Sequence, residues 1–198
     1  MGLKFYDTVH QYELDGEIIP SVSEILRFLA RESYADISKY ILDHAAERGT
    51  AVHRAAQELD ETGACEIPQE YKGYLDGYIK FLRTNKVDWE LIEKPLADRS
   101  KRYAGTLDRR GWVNGSYCTV DIKTNAVIKK TLVKAQLNGY EGLCLANGLR
   151  PSDQLLCLQL LQDGRYRLYQ VKKDSAEFDG CLLLHSALTK KHGRMRIE

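Results

Sequence analysis

Apolar residues along the chain switch between the alternation of a strand and the 3.6-residue repeat of a helix, and the switches divide it into elements. "HQYEL" and "EIIP" flank Asp15-Gly16, a dipeptide suited to the tight turns that need positive φ, and predict a hairpin. A helix follows, because "SVSE" from Ser21 to Glu24 has capping-box spacing: Ser21 accepts from the backbone at Glu24 while Glu24 reaches back. From Ala35 to about Glu61 the pattern is helical. A break is expected near Arg48-Gly49-Thr50, since glycine ends helices and threonine caps them, and it puts His53 in the first turn of a second piece. Pro68 suits a first helical position, and Tyr71, Tyr74, Leu75, Tyr78, Ile79 and Leu82 follow at helical spacing. That stripe reads as core packing rather than as a platform for stacked bases.

The period then shortens. "WELIEKPLAD", "YAGTLDRRGWV" and "SYCTVDIKT" read as three consecutive strands, with Asn114-Gly115 as the hairpin turn between the last two. A helix from Lys130 to about Asn147 leads to the continuously apolar strand "QLLCLQLL" and, through Asp163-Gly164, to "YRLYQV". Asp174 and Glu177 open a last helix, and the tail "TKKHGRMRIE" is basic. The crossover helix returns the chain parallel to the third strand, so the expected architecture is α/β (α+β): a mixed central sheet flanked by helices, with an N-terminal hairpin and helical additions.

Counting outward from Asn114-Gly115 pairs Val113 with Ser116 and Trp112 with Tyr117, and continuing sets Asp108 opposite Asp121 and Thr106 opposite Lys123. Directly opposed residues share a face with Cβ atoms about 4.5–5.5 Å apart, where like charges destabilise the pair. If Arg99 to Arg102 form a four-residue loop, the same count sets Glu93 opposite Asp108, although a one-residue slip would turn Glu93 to the other face. Pro95 suits an edge strand. A row of carboxylates without a neutralising partner is costly, so a cation site explains it better than chance clustering, and an oxygen-rich site suits magnesium or manganese. Lys123 shares the face of Asp121. There it can orient a water and stabilise negative charge on an attacked phosphate, the chemistry of phosphodiester hydrolysis.

With 198 residues the chain holds one sizeable core. It is read as a single domain over 1–198, with the hairpin and first helix in 1–34, a helical segment in 35–86, the sheet and crossover helix in 87–172, and the last helix and tail in 173–198. Hydrophobic residues at 43% and charged residues at 29% fit a folded, soluble chain rather than a disordered one. No apolar run approaches the roughly 20 residues of a membrane span, and the N-terminus has no apolar signal core. A cytoplasmic protein with no membrane partner is expected. The five cysteines are scattered without a CxxC pair, which argues for reduced, buried or half-buried thiols. A net charge of +1 means that any polyanion must meet a local patch. There is no phosphate-binding GxxxxGK[ST] loop and no internal repeat.

"GTAVH" (Gly49 to His53), "GTLD" (Gly105 to Asp108), "DIK" (Asp121 to Lys123) and "QLNGY" (Gln136 to Tyr140) occur in the order and approximate spacing of the PD-(D/E)XK nuclease superfamily, and the chain resembles its RecB-like and phage-exonuclease branch over about residues 49 to 140. The resemblance implies a restriction-endonuclease-like αβββαβ core and a single nuclease domain. In it Asp108 and Asp121 hold Mg2+ or Mn2+, the carbonyl of Ile122 adds an oxygen, Lys123 is catalytic, and His53 is a further ligand. Taken alone, His53 reads as an ordinary helix histidine. Glu93 is added as a direct or water-bridged ligand. Gln136 and Tyr140, four apart on one helix face, orient the site or touch the DNA backbone; simple packing is an equal reading for Tyr140. Lys129, Lys130 and Lys134 are candidate phosphate grips, against the alternative of a solvated helix face, and the tail cluster Lys190, Lys191, Arg194 and Arg196 has a weaker claim. The cysteines lack the spacing of relatives that hold an iron–sulfur cluster, so none is expected.

The implied function is a metal-dependent deoxyribonuclease, an exonuclease of recombination or repair. DNA is its partner, and a single-strand annealing protein or a helicase is a candidate working companion. A non-catalytic DNA-binding module that keeps the fold, an endonuclease of the same superfamily and, more remotely, a two-carboxylate glycosidase are the alternatives.

Overall fold

The computed structural model describes residues 2–192. Arg194 and Arg196 of the basic tail, and the side chains of Lys190 and Lys191, lie outside the described residues. Two sheets form. The smaller is antiparallel, in the order β1 (Leu3–Tyr6), β2 (Gln11–Leu14), β3 (Glu17–Ile19). Asp15 and Gly16 both take positive φ, 54° and 93°, and join β2 to β3 in the expected tight turn. Strand β1 was not expected from the sequence. It pairs Leu3 with Leu14 and Phe5 with Tyr12, and a short 3-10 turn over Asp7–Val9 connects it to β2.

Ser21 and Glu24 make the reciprocal capping box at 3.0 and 2.9 Å and open α1 (Val22–Ile25), which continues into α2 (Arg27–Ser33). Helix α3 (Lys39–Thr62) runs unbroken through Gly49, so the expected break is corrected and His53 lies in the helix interior. A glycine inside a helix costs only about 1 kcal/mol, and burial of Val52, Ala55 and Ala56 on the same helix outweighs it. Pro68 caps a 3-10 turn (Gln69–Tyr71) rather than filling a first helical position, and α4 (Lys72–Thr84) starts after that turn. Tyr74, Leu75 and Tyr78 are buried, so this part of the tyrosine stripe is core.

The larger sheet has the order β4 (Val87–Asp98), β5 (Tyr103–Val113), β6 (Ser116–Lys123), β7 (Gln154–Leu160), β8 (Tyr166–Val171). All pairs are antiparallel except β6–β7, which are parallel because α5 (Lys130–Ala146) carries the chain across. The mixed α/β architecture is therefore the expected one. Alternation along β6 and β7 supplies both faces. Val120, Ile122, Leu156 and Leu158 pack on α3 and α4, whereas Leu155 and Cys157 pack under Val133 and Leu137 of α5. Phe178 of α6 (Ala176–His192) meets Gly139, where a Cβ would come within 2.8 Å of the ring. Among the described residues no helix is long and apolar enough to cross a membrane.

Candidate active site

The site forms where the central hairpin comes apart. Asn114 and Gly115 take φ of 51° and 83°, and β5 and β6 pair in the counted register from Val113 with Ser116 to Arg109 with Val120. There the ladder stops. At the next step, where Asp108 and Asp121 fall, the Asp108 carboxylate accepts the Ile122 N–H at 2.7 Å, so a side chain takes the amide that faces β5.

The register of β4 also matches the counted one. Asp98 pairs with Tyr103 around the four-residue loop, and Ile92 with Arg109 and Lys94 with Leu107 bracket the position at which Glu93 faces Asp108. A bulge between Trp89 and Leu91 shifts the remainder of the strand. Glu93 itself has φ 41°, a left-handed conformation costly for a side chain of its kind. That conformation turns its carboxylate toward α3.

From α3, His53 Nδ1 lies 3.4 Å from Glu93 Oε1 and 3.7 Å from Asp108 Oδ2, while Nε2 lies 3.0 Å from the Ile122 carbonyl oxygen. His53, Glu93 and Asp108 present ligand atoms within 4.8 Å of one another. Asp121 stands beside this trio. It is 1% exposed and ion-paired with Lys123 at 2.7 Å through Oδ2, an atom that accepts no well-directed hydrogen bond.

Electrostatics follow from burial. His53 is pushed up to about 9, because the charge of Asp108 and the hydrogen bond and charge of Glu93 reverse the downward pull of burial. Burial foremost raises Asp121 to about 6, with the Asp108 charge adding and Lys123 opposing. Asp108 is raised as well, by burial first and then the Glu93 charge, against His53 and Lys123. Burial lowers Lys123, but Asp121 and Asp108 outweigh it and hold the ammonium charged.

Three cations, Lys123, His53 and Arg109, face four carboxylates, Asp60, Glu93, Asp108 and Asp121, a surplus of negative charge that a dication offsets. The donor set of His53, Glu93 and Asp108, carboxylate oxygens with one imidazole nitrogen, suits a divalent cation. His53 Nδ1 faces Glu93 and Asp108, while Nε2 meets the Ile122 carbonyl oxygen at hydrogen-bond distance, 3.0 Å.

Several residues that support the site were not singled out in the sequence. Arg109 is fully buried. Its Nε donates to Asp60 at 2.7 Å, and its Nη1 to Glu93 at 2.9 Å and to the Asp108 carbonyl at 2.7 Å. Tyr78 donates to the same Asp60 oxygen at 2.6 Å, and Trp89 to Tyr78 at 3.1 Å. Arg110, on the opposite face, pairs with Glu141 at 2.8 Å. The signal for both was present: consecutive arginines in a strand covered on both faces must each find a buried acid. Tyr12 of the small sheet meets Thr106 at 2.8 Å, and Arg48 donates to Thr124 at 3.3 Å.

Gln136 donates to the Tyr140 hydroxyl at 2.9 Å, and Tyr140 is buried where burial and the charges of Asp108 and Asp121 raise its pKa well above the ordinary value. Lys129 stands over the Tyr34 ring, and Lys130 is exposed at the start of α5. Lys134 is instead committed to Asp174 and Glu177 at 2.9 and 2.7 Å.

A cavity of about 670 Å³ opens onto His53, Glu93, Ile122 and Lys123, with Asp7 and His10 across from them. A deeper cavity of about 190 Å³ reaches Asp108, Tyr12, Thr106 and Tyr140.

No protein-family model matches the chain, and no curated protein matches it by sequence. Solved structures similar to it in shape include the following two. One is the crystal structure of an alkaline exonuclease (LHK-Exo) from Laribacter hongkongensis, 12% identical, covering 88% of this chain and 91% of that one, with a TM-score of 0.45. The other is LHK-Exo in complex with dAMP, 10% identical, covering 89% and 94%, with a TM-score of 0.39.

Proposed function

We propose that the protein is a divalent-metal-dependent DNA nuclease that hydrolyses phosphodiester bonds and works as an exonuclease. The observation that carries this reading is the convergence of His53, Glu93, Asp108, Asp121 and the Ile122 carbonyl on the end of β6, with Lys123 in ion contact beside them. Three of the four sequence motifs that resemble the PD-(D/E)XK superfamily, "GTAVH", "GTLD" and "DIK", supply the residues of this convergence, apart from Glu93.

In this reading His53, Asp108, Asp121 and the Ile122 oxygen hold Mg2+ or Mn2+, with Glu93 as a direct or water-bridged ligand. When bound, the ion activates a water as nucleophile and draws charge from the phosphoryl oxygen. The chain's own groups do the rest. Lys123, kept cationic by Asp121, hydrogen-bonds the attacking water and offsets the charge that develops on the phosphate. Tyr140, whose hydroxyl accepts from Gln136, stays protonated and supports the acidic cluster from the α5 side. Lys129 and Lys130 are available to the DNA backbone. Lys134, already neutralised by two carboxylates, has a structural role.

The test compares wild type with Asp121→Ala and Lys123→Ala on linear and circular DNA, with magnesium, manganese or chelator. Linear DNA should be degraded by wild type with metal alone and spared by both variants. Cleavage indifferent to the variants and to chelator would remove the proposal. Attack on closed circles would make the enzyme an endonuclease, and binding without cleavage under either metal would make it a DNA-binding module.

A further inference from the structure

His10 belongs to neither the acidic cluster nor the sequence motifs that supplied most of it. It follows the 3-10 turn Asp7–Val9 with φ 49°, a left-handed conformation closed by its own N–H donating to the Asp7 carbonyl at 3.1 Å. The backbone thus spends conformational energy to aim this side chain. The ring stands edge-on to Phe5 and Tyr12, with centroids 5.3 and 5.7 Å away, so it is fixed on its apolar sides. Its residue is exposed, and neither ring nitrogen hydrogen-bonds to another described residue. His10 lines both the open cavity with His53 and Lys123 and the deeper one with Asp108 and Tyr140, so it stands at their junction on the wall opposite α3.

We propose that His10 is a substrate-contacting residue: a ring N–H donates to a phosphate oxygen of the DNA strand seated against the acidic cluster. The small sheet is then one jaw of the cleft, and its aromatic pair holds the donor at a set angle. The inference rests on the DNA reading given above. The wall is mixed in charge. Asp7 and Glu93 line the cavity and repel a polyanion, while Arg54, paired with Glu58 at 3.0 Å, and Lys123, paired with Asp121 at 2.7 Å, line it too and only partly offset them, so a directed neutral donor has the more to contribute. A directed donor at this point favours a phosphate located opposite the metal ligands over one bound at random.

Two variants separate contact from packing. His10→Phe keeps the edge-on aromatic contacts and removes the donor; His10→Gln keeps a donor. Steady-state cleavage of linear DNA and binding of fluorescent DNA in chelator are measured for each, beside thermal denaturation. His10→Phe should melt with wild type, raise KM and weaken binding by about 10-fold, as expected for one lost hydrogen bond to an ionised group; His10→Gln should recover part of the loss. Unchanged KM and binding in His10→Phe, with wild type active, would overturn the proposal and leave the nuclease reading intact. Wild type that binds but never cleaves, with binding weakened in His10→Phe, would overturn the nuclease reading and support the contact. Failure of wild type to bind or cleave DNA would overturn both.

Discussion

Replacing Arg109 by methionine removes a buried charge while conserving most of its volume. The guanidinium is fully enclosed and joins Asp60, 5% exposed at its side chain, to Glu93, 20% exposed. The variant leaves Asp60 without its cation and Glu93 with His53 alone, at 3.4 Å, and breaking a buried pair from one side costs about 3–5 kcal/mol. At about 2–4 °C per kcal/mol for a chain of this size, melting should fall by roughly 6–20 °C. Part of the cost is offset because Arg109 Nη2 is itself buried without a hydrogen-bond acceptor. Asp60→Asn added to Arg109→Met should cost less than the two separate losses summed, since the second change removes the stranded charge. Arg109→Lys should recover little, because a single ammonium cannot span Asp60, Glu93 and the Asp108 carbonyl as the fork does.

The same change reaches the site through Glu93, whose left-handed backbone is held in part by this ion pair. Binding of Mn2+, titrated calorimetrically below the melting transition, should change in Arg109→Met, because losing the guanidinium both frees the charge of Glu93 and loosens its backbone. A loss under about 1 kcal/mol in chemical denaturation, together with wild-type metal binding, in Arg109→Met would refute this role of the guanidinium.

Gly105→Ala would bring a Cβ to 3.0 Å from Tyr140 Cε1 and 3.1 Å from Val22 Cγ2; a loss of about 1–3 kcal/mol with reduced cleavage is expected, and unchanged denaturation would contradict the crowding. Lys134→Ala should leave the salt dependence of DNA binding unchanged, whereas Lys129→Ala and Lys130→Ala should each make it shallower. For the metal-free protein, the raised His53 value means stability fully present below its ordinary 6.5 and lost as pH rises through about 9, worth on the order of 3 kcal/mol. Asp121, an acid raised from 3.8 to about 6, acts in the same sense at lower pH: the folded state gives up that proton later than the unfolded chain, so stability also falls as pH rises across that interval. Melting curves in chelator from pH 4 to 9 should therefore decline through both windows, and metal affinity should rise between pH 6.5 and 9 as His53 yields its proton. A flat melting profile would contradict these environments.

Local chemistry made the centre of the fold legible. Asn114-Gly115 sets one register and the loop Arg99 to Arg102 the next, and together they align Glu93, Asp108 and Asp121 at neighbouring positions. What happens at those positions was not legible. The count treats a strand as uniform, whereas the ladder parts at Asp108, Glu93 turns left-handed, and a bulge shifts β4. The trio closest together is thus His53, Glu93 and Asp108, with Asp121 drawn onto Lys123.

Gly49 misled because local preference favours a helix end there, while the burial that carries α3 through is tertiary. The buried Arg109–Asp60 pair joins residues 49 apart in sequence and depends on how α3 lies on the sheet. Strand β1 and the direction of His10 depend on pairing with β2, which alternation in a four-residue segment is too short to announce.

The central claim is that these acids hold a cation. Crystals soaked in manganese and measured for anomalous scattering test it most directly. One strong peak is expected within bonding distance of His53, Asp108, Asp121 and the Ile122 carbonyl, with Glu93 bound directly or through a water. No peak there at saturating manganese, under conditions in which the crystallised protein cleaves DNA, would contradict it.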